Sequence, residues 1–327
     1  MSADERVPPT LRRRRRRWSN RALLVPLAVM LATPGLAGRG SKLRRFAIVG
    51  PGTIKIRSTK NRFRFAGRYR RRDGRYILRA LRRINRVFDA NHGRSEERVS
   101  LRLIEVLAFV QSKLEGGWLV ISSGYRSPEY NKKLRDRGGT VAKASLHQFS
   151  MAADLKIEGV ETKAAWRFAR KHKVGGAGYY NSPWMHLDVG PVRFWTQGTA
   201  NVRKGKSEHN KRVILVPQYD HYLAGERMQL RFARMTAFPI GVEPSFTLQR
   251  SSDGRWHPVK SIRADLGKSG PGCAKFAGIA EMARVTWSIP ADLQPGRYRL
   301  QASFCEIRWE SMPETITSYE FTVAGGP

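Results

Sequence analysis

The spacing of hydrophobic positions predicts three helices in the first two hundred residues, and a capping signal predicts a fourth. Apolar side chains recur every three to four residues over 77–88, 100–114 and 162–173, which is the spacing of one helix face. Ser127 followed by Pro128 predicts a further helix running to about Arg137, because serine caps a helix N-terminus and proline suits the first turn. Arginines fill the other faces of the helix over 77–88, where they are either solvated or hold an anionic polymer.

Short apolar runs predict strands between these helices, including runs over 46–49, 54–56, 63–65, 118–122, 152–157 and 185–189. Side chains alternate along a strand, so His186 and Asp188 project to one face. From residue 212 onward the pattern is all-β, with strands over 213–216, 228–232, 246–250, 285–289, 298–302 and 319–323. Short strands separated by turns favour an immunoglobulin-like sandwich over 212–325.

Residues 1–40 have the order of a secretory signal. An arginine run over 12–17 precedes an apolar stretch over 22–32, and Gly35 and Ala37 are small residues where a signal peptidase would cut. Two alternatives stay open, an uncleaved membrane anchor over 22–38 and a basic arm for nucleic acid. We therefore predict a leader over 1–40, a first domain over 41–196, a polar linker over 197–211 and a β domain over 212–325.

Charge narrows the class of partner. The chain has 61 lysines and arginines against 26 acidic residues, a formal charge of +35, which implies an anionic partner or surface. Nucleic acid is the default for such an excess, but no zinc-finger, helix-turn-helix or aromatic-basic signature accompanies it. We therefore expect no nucleic acid and predict that the basic face meets an anionic cell-envelope surface.

Two histidines and one carboxylate in a histidine-poor chain are candidate metal ligands. His147, Asp154 and His186 offer two nitrogens and one oxygen, and catalytic zinc commonly takes three protein ligands and leaves a position for water. On spacing alone, the alternative that these are ordinary polar residues is at least as strong, since H-x6-D is a loose signal.

Several motifs in order add a family resemblance. They are Gly124-Tyr125-Arg126-Ser127, Ser145-Leu146-His147 with Ala152-Ala153-Asp154, Gly178-Tyr179-Tyr180, and His186-Leu187-Asp188 through Trp195. Over roughly 50–196 the chain resembles the MepK-type murein endopeptidases, relatives of the D-Ala-D-Ala peptidases in the zinc superfamily that includes lysostaphin and the Hedgehog signalling domain. The resemblance implies an α+β domain with a small antiparallel sheet, Zn²⁺ on His147, Asp154 and His186, and hydrolysis of peptidoglycan peptide cross-links in a bacterial periplasm or envelope.

The same resemblance implies roles around the metal. Arg126 would bind substrate and stabilise developing charge, its alternative being a structural salt bridge, while Tyr125 and Ser145 would contact substrate. The glutamate and histidine bases of related branches fall here on Pro183 and Trp184. Asp188 therefore stays open between two roles: a catalytic base, or a group that orients His186.

The β domain carries the only two cysteines. Its stretch over 285–299 weakly resembles the C-terminal β domain of neutral ceramidases without their active site, so we interpret it as an accessory domain that binds wall, partner or membrane. In an exported protein, Cys273 and Cys305 predict a disulfide.

Two rival functions of the whole chain remain open. One is a non-catalytic protein that holds zinc and binds the cell wall, and the other is a basic nucleic-acid binder.

Overall fold

The computed structural model describes residues 43–90, 98–139, 141–200, 209–268, 272–283 and 285–325. The predicted leader, its candidate anchor over 22–38 and linker residues 201–208 lie outside these ranges. Among the helices of the described ranges, none has the length and apolar composition needed to cross a bilayer.

A sheet with four helices forms the first half of the described chain. Its elements are β1 (Thr53–Ser58), β2 (Arg64–Arg68), α1 (Leu78–Val87), α2 (Leu101–Lys113), β3 (Leu119–Ser123), α3 (Pro128–Asp136), β4 (Ala152–Ile157), α4 (Thr162–Lys171), β5 (Gly176–Tyr179), β6 (Met185–Asp188) and β7 (Arg193–Thr196). Short 3-10 turns cover Leu146–Phe149 and Gln197–Thr199. All four predicted helices are present, because the periodicity that predicts a helix is a local property of the sequence.

The sheet is larger than the sequence predicts and it is mixed. Its seven strands run in the order β2-β1-β3-β4-β6-β5-β7. The four central strands are antiparallel, but β1 pairs parallel to β3 and β5 pairs parallel to β7. The prediction of a small antiparallel sheet is therefore correct for the four central strands and for the edge pair β1–β2, and wrong for the two parallel pairs, since local patterns do not specify which strands become neighbours.

The N-termini of α2 and α3 differ in how they are capped. The hydroxyl of Ser127 accepts a hydrogen bond from the amide of Tyr130 at 3.1 Å, so it caps α3 as predicted. Ser100 does lie at the N-cap of α2, but its side chain makes no capping bond. The predicted strand over 46–49 is wrong, because Phe46 is instead buried against the ring of Tyr219, with 5.5 Å between ring centroids.

A buried carboxylate ties α2 to the start of the domain. Glu105 has no exposed surface and accepts hydrogen bonds from the amide of Gly50, the hydroxyls of Tyr69 and Tyr76, and the Nε of Arg70, at 2.7–2.9 Å. Burial and the charge of Glu105 raise the pKa of both phenols, so they stay protonated donors. Four donors on one carboxylate make a satisfied buried network.

Replacing Glu105 by glutamine is expected to lower the free energy of unfolding by about 3 kcal/mol, because the new NH2 group cannot accept from the donors that face it. Urea unfolding of the full chain measures this loss. Glu310→Gln makes the same change at an exposed position and should cost almost nothing. Equal stability of the two variants would contradict the network's importance.

Two facing sheets form the second half. Its elements are β8 (Ile214–Pro217), β9 (His221–Leu223), β10 (Arg227–Ala233), β11 (Ile240–Val242), β12 (Ser245–Ser252), β13 (Arg255–Arg263), β14 (Ala274–Phe276), α5 (Ile279–Met282), β15 (Val285–Ser288), β16 (Gly296–Glu306), β17 (Thr315–Thr317) and β18 (Phe321–Ala324). A three-stranded sheet, β15-β10-β8, faces an eight-stranded sheet built around β12 and β16. Phe232 of β10 packs between them against Phe246 and Phe304, with centroid distances of 6.4 and 6.1 Å.

This second half is β-rich as predicted, although it includes the short helix α5, and its immunoglobulin-like character stays a prediction. Cys273 and Cys305 form a disulfide with their Cα atoms 5.7 Å apart. The bridge lies against Gly241, where an added Cβ would come within 2.6 Å of the Cys273 sulfur.

The two halves contact each other through polar bonds and belong to one compact unit. Asp220 pairs with Arg102 of α2 and also accepts from the amide of Ala47 at 2.8 Å. The guanidinium of Arg231 on β10 donates to the carbonyl of Phe149 at 2.6 Å. Because Phe149 closes the 3-10 turn that carries His147, the second half touches a segment of the candidate site. The predicted division at 197–211 stays a prediction.

Candidate metal centre

The three predicted ligands come from three separate segments and meet on one face of the mixed sheet. His147 lies on the 3-10 turn over Leu146–Phe149, Asp154 on β4 and His186 on β6. Asp154 and His186 are direct partners in the antiparallel pair β4–β6, so their side chains share a face. The ring centroids of His147 and His186 are 5.1 Å apart.

The spacing of the ligand atoms fits a tetrahedral ion. Nε2 of His147 lies 3.3 Å from Nδ1 of His186, and Oδ1 of Asp154 lies 3.4 and 3.0 Å from those two nitrogens. Atoms bound at 2.0–2.1 Å to a tetrahedral metal are about 3.3 Å from one another. Two imidazole nitrogens and a carboxylate oxygen are donors that zinc and other transition metals accept.

In each histidine, one ring nitrogen is hydrogen-bonded to a group outside the candidate site. The lone pair of the other ring nitrogen is thereby directed to the position that a metal ion would occupy. Nδ1 of His147 lies 2.6 Å from the carbonyl oxygen of Gly124, and that oxygen can only accept, so Nδ1 carries the proton. Nε2 of His186 lies 2.8 Å from Oδ2 of Asp188, a carboxylate that likewise accepts. Each ring is therefore oriented so that its other nitrogen can bind a metal ion in the unprotonated form, as in metal-ligating histidines.

Asp188 is buried and its oxygens are fully engaged. Besides His186, it accepts from the amides of Gly176 and Gly190 at 3.1 and 2.8 Å and from both terminal nitrogens of Arg193. Burial opposes its charge, but the bonds from His186 and Arg193 outweigh that effect and lower the pKa of Asp188. A carboxylate held in this way is a weak proton acceptor.

Arg126 contacts a predicted ligand directly. Its Nη2 pairs with Oδ2 of Asp154, and its Nε donates to the hydroxyl of Ser123 at 2.8 Å. Burial opposes the charge of Asp154 as well, but its bonds to the two histidines hold the pKa of Asp154 well below the usual range. Of the two roles predicted for Arg126, the structure contains the salt bridge.

The two further substrate-contact candidates have structural partners. Ser145 is buried, and its hydroxyl accepts from the amide of His147 at 3.4 Å, which caps the turn that holds this histidine. Tyr125 is half-buried and packs against the hydrophobic core, with its amide donating to the carbonyl of Phe88 at 2.8 Å.

Two glycines on β5 make room for side chains of the site. An added Cβ at Gly176 would lie 2.4 Å from Oδ2 of Asp188, and one at Gly178 would lie 2.4 Å from the indole of Trp195. The absence of side chains at these two positions thus leaves space for Asp188 and Trp195. Trp195 packs against His186, with 5.2 Å between ring centroids.

Sequence reasoning missed the contributions of Gly124, Arg193 and Trp195. Arg193 and Trp195 belong to the family motif that ends the first domain, and they lie two residues apart on β7, but the sequence pattern gave neither of them a role. The carbonyl of Gly124 has no signal in the sequence at all, because any residue has a carbonyl and only its direction matters.

Comparisons with known proteins agree with this geometry. A family model described as "Peptidoglycan L,D-endopeptidase MepK" matches residues 47–195. The protein of that name from Escherichia coli K12 is 36% identical over 126 residues, which cover 38% of this chain and 69% of that protein. A probable MepK of Haemophilus influenzae is 37% identical over 83 residues, covering 25% of this chain and 45% of that protein.

A solved structure, the sporulation control protein Spo0M of Bacillus subtilis, aligns with 13% identity and a TM-score of 0.21 over 36% of this chain and 50% of that one. A likeness that low supports no statement about the fold. The family match covers β1 to β7 and contains all three ligand residues and Arg126. The chain therefore belongs to the M15-type metallopeptidase family of the MepK peptidoglycan L,D-endopeptidases.

Proposed function

We propose that this chain hydrolyses amide bonds in the peptide cross-links of peptidoglycan, with a zinc ion held by His147, Asp154 and His186. The observation that carries the proposal is the spacing of the three ligand atoms, all within 4.8 Å of one another inside the region of the family match. When bound, zinc would polarise the scissile carbonyl and acidify a water molecule.

Zinc is the metal we propose because of the donor set. Nitrogen and carboxylate oxygen donors with one position left for water are typical of catalytic zinc sites in peptidases. Hydrogen bonds that the imidazoles donate to the carbonyl of Gly124 and the carboxylate of Asp188 orient both rings before metal binds, which reduces the cost of assembling the site.

Arg126 has a double role in this proposal. It holds Asp154 in the orientation that presents Oδ1 to the histidines, since its Nη2 takes the other carboxylate oxygen. A guanidinium has five N–H donors in a planar fork, so donors remain for negative charge that develops on the substrate carbonyl. The burial of this side chain, only 12% exposed, strengthens such an interaction.

Asp188 acts through His186 in this proposal. Its carboxylate accepts a hydrogen bond from the proton-bearing nitrogen of the imidazole and lies on the side of the ring opposite to the ligand atoms. Ser145 similarly supports His147 through the cap of its turn, and Tyr125 forms part of the wall beside Arg126. The proton from water would then pass to substrate or solvent without a dedicated carboxylate base.

The remaining parts of the chain fit an envelope location. We propose that the leader directs export to the periplasm or cell envelope, and that the β-rich half is an immunoglobulin-like accessory domain. The basic face is carried by exposed arginines of α1 and β2, namely Arg64, Arg68, Arg79, Arg82, Arg83 and Arg86. Phe63, 46% exposed, lies under the guanidinium of Arg86 and adds an apolar contact to this face. An anionic envelope surface matches this chemistry.

Mass spectrometry of cross-linked muropeptides tests the function. Incubation with the mature protein should convert cross-linked species to uncross-linked products, a chelator should stop the conversion, and added Zn²⁺ should restore it. Intact cross-links with protein retained on the wall would instead indicate a non-catalytic binder. Cleavage that persists in the chelator, with no metal in the protein, would refute the metal mechanism.

A further inference from the structure

Arg234 is a buried cation for which the described residues provide no counter-ion. Arg234 is the first residue after β10, and it is only 8% exposed. Its Nε is buried and has no hydrogen-bond partner among the described residues. Moving a guanidinium out of water without a partner costs several kcal/mol, so a buried donor of this kind needs an explanation such as an ion that binds there.

The backbone holds Arg234 in this position. Its φ of 64° lies in the left-handed region, which is uncommon for residues other than glycine. The adjoining turn is anchored by Asn210, whose Oδ1 accepts from the amides of Thr236 and Ala237 at 2.9 and 3.1 Å. Strain and an unpaired charge at the same residue point to function more than to stability.

The surroundings of Arg234 are positive. Burial lowers its pKa to about 10, with further lowering by the charges of Arg193 and Arg212. The negative charge of Asp188 favours the charged form of Arg234, but the Asp188 carboxylate already accepts two hydrogen bonds from Arg193, at 2.5 and 3.1 Å. The nearby hydroxyl of Tyr319 is also buried without a partner in the described chain.

We propose that Arg234 and the hydroxyl of Tyr319 form a binding site for an oxyanion, where the β-rich half meets the turn from Asp188 to Arg193. A planar guanidinium matches the paired oxygens of a carboxylate or phosphate, and a phenol adds one more donor. The anion would offset the charge of Arg234 and the repulsion from Arg193. Arg193, whose charge acts on Arg234, bonds Asp188, and Asp188 bonds His186, so the site lies beside the residues that orient the metal ligands.

Two sources could supply the oxyanion. One is a free anion such as inorganic phosphate. The other is a carboxylate of the peptidoglycan peptide, and this version rests on the proposed function. The phosphate measurement needs no enzyme activity, so a failure of the site and a failure of the hydrolase assignment can be distinguished.

Thermal unfolding of the full chain in inorganic phosphate, against chloride at matched ionic strength, tests the site. Phosphate should raise Tm in proportion to the logarithm of its concentration above Kd, by about 2 to 4 °C at ten times its Kd. Arg234→Gln should abolish the phosphate-specific rise in Tm and, in the absence of phosphate, unfold no earlier than the parent protein. Arg263→Gln removes the same charge from an exposed strand position and should keep the full rise.

A second variant keeps the test decisive if Arg234→Gln does not fold. Tyr319→Phe removes only the hydroxyl and should weaken phosphate binding by about tenfold.

Kinetics on cross-linked muropeptides distinguish the two sources of the oxyanion. If Arg234→Gln raises KM and phosphate competes with substrate, the oxyanion is a substrate carboxylate. If KM is unchanged, the oxyanion is a free anion. The proposal is wrong if phosphate and chloride shift Tm equally and KM is unchanged, or if Arg234→Gln and Arg263→Gln respond alike.

Discussion

Replacing His147 by alanine is expected to remove bound zinc and to reduce muropeptide hydrolysis by about a thousandfold or more. The imidazole supplies one of three ligand atoms, and Lewis-acid stabilisation worth several kcal/mol disappears with the ion. Metal content of the purified protein and initial rates on cross-linked muropeptides measure both effects. Asp154→Ala should behave in the same way.

A matched substitution separates this effect from damage to the fold. His257→Ala changes an exposed histidine of β13, far in sequence from the site, and should leave zinc content and rate unaltered. Circular dichroism should show the same secondary structure for all variants. A His147→Ala protein that lacks metal yet hydrolyses at the parental rate would overturn the assignment.

Replacing Asp188 by alanine is expected to weaken zinc binding by about 10- to 100-fold, because the partner that orients His186 is lost. The activity that remains should recover as zinc is added, since the ligands themselves are intact. Competition with a chromogenic chelator measures the affinity, and rates at rising zinc concentration measure the recovery.

The same variant decides between the two roles that the sequence leaves open for Asp188. A general base would give the opposite result: unchanged zinc affinity, a lowered kcat, and no recovery at high zinc. Asp188→Asn adds a finer comparison, because its amide oxygen can still accept from His186 but cannot carry charge beside Arg193. We expect its zinc affinity to lie between those of the parent and the alanine variant.

Much of the candidate site could be predicted because its signals are carried by short segments. Alternation along β6 places His186 and Asp188 on one face, and the structure has that arrangement. The ligand set came from motif resemblance, and the ligand atoms do converge. The roles of individual atoms could not be predicted, since they depend on which groups arrive from other strands.

Arg126 illustrates the limit of predicting atomic contacts from sequence. Its motif predicts a guanidinium near substrate, but only the pairing of β3 with β4 brings Ser123 opposite Asp154 and places Arg126 within reach of that carboxylate. Gly124 follows an irregularity in this pairing between Ile121 and Ser123, and its carbonyl faces His147. Neither feature can be read from side-chain types.

The amino-acid order by itself determined the types of most elements, the donor atoms available for a metal, and the β-rich character of the second half, because periodicity and residue chemistry are local. Only the tertiary structure decided that the first sheet is mixed, that Asp188 and Arg126 hold the ligands, and that Arg231 reaches the turn of His147. These features depend on strand neighbours and register, which are set by packing between residues far apart in the chain.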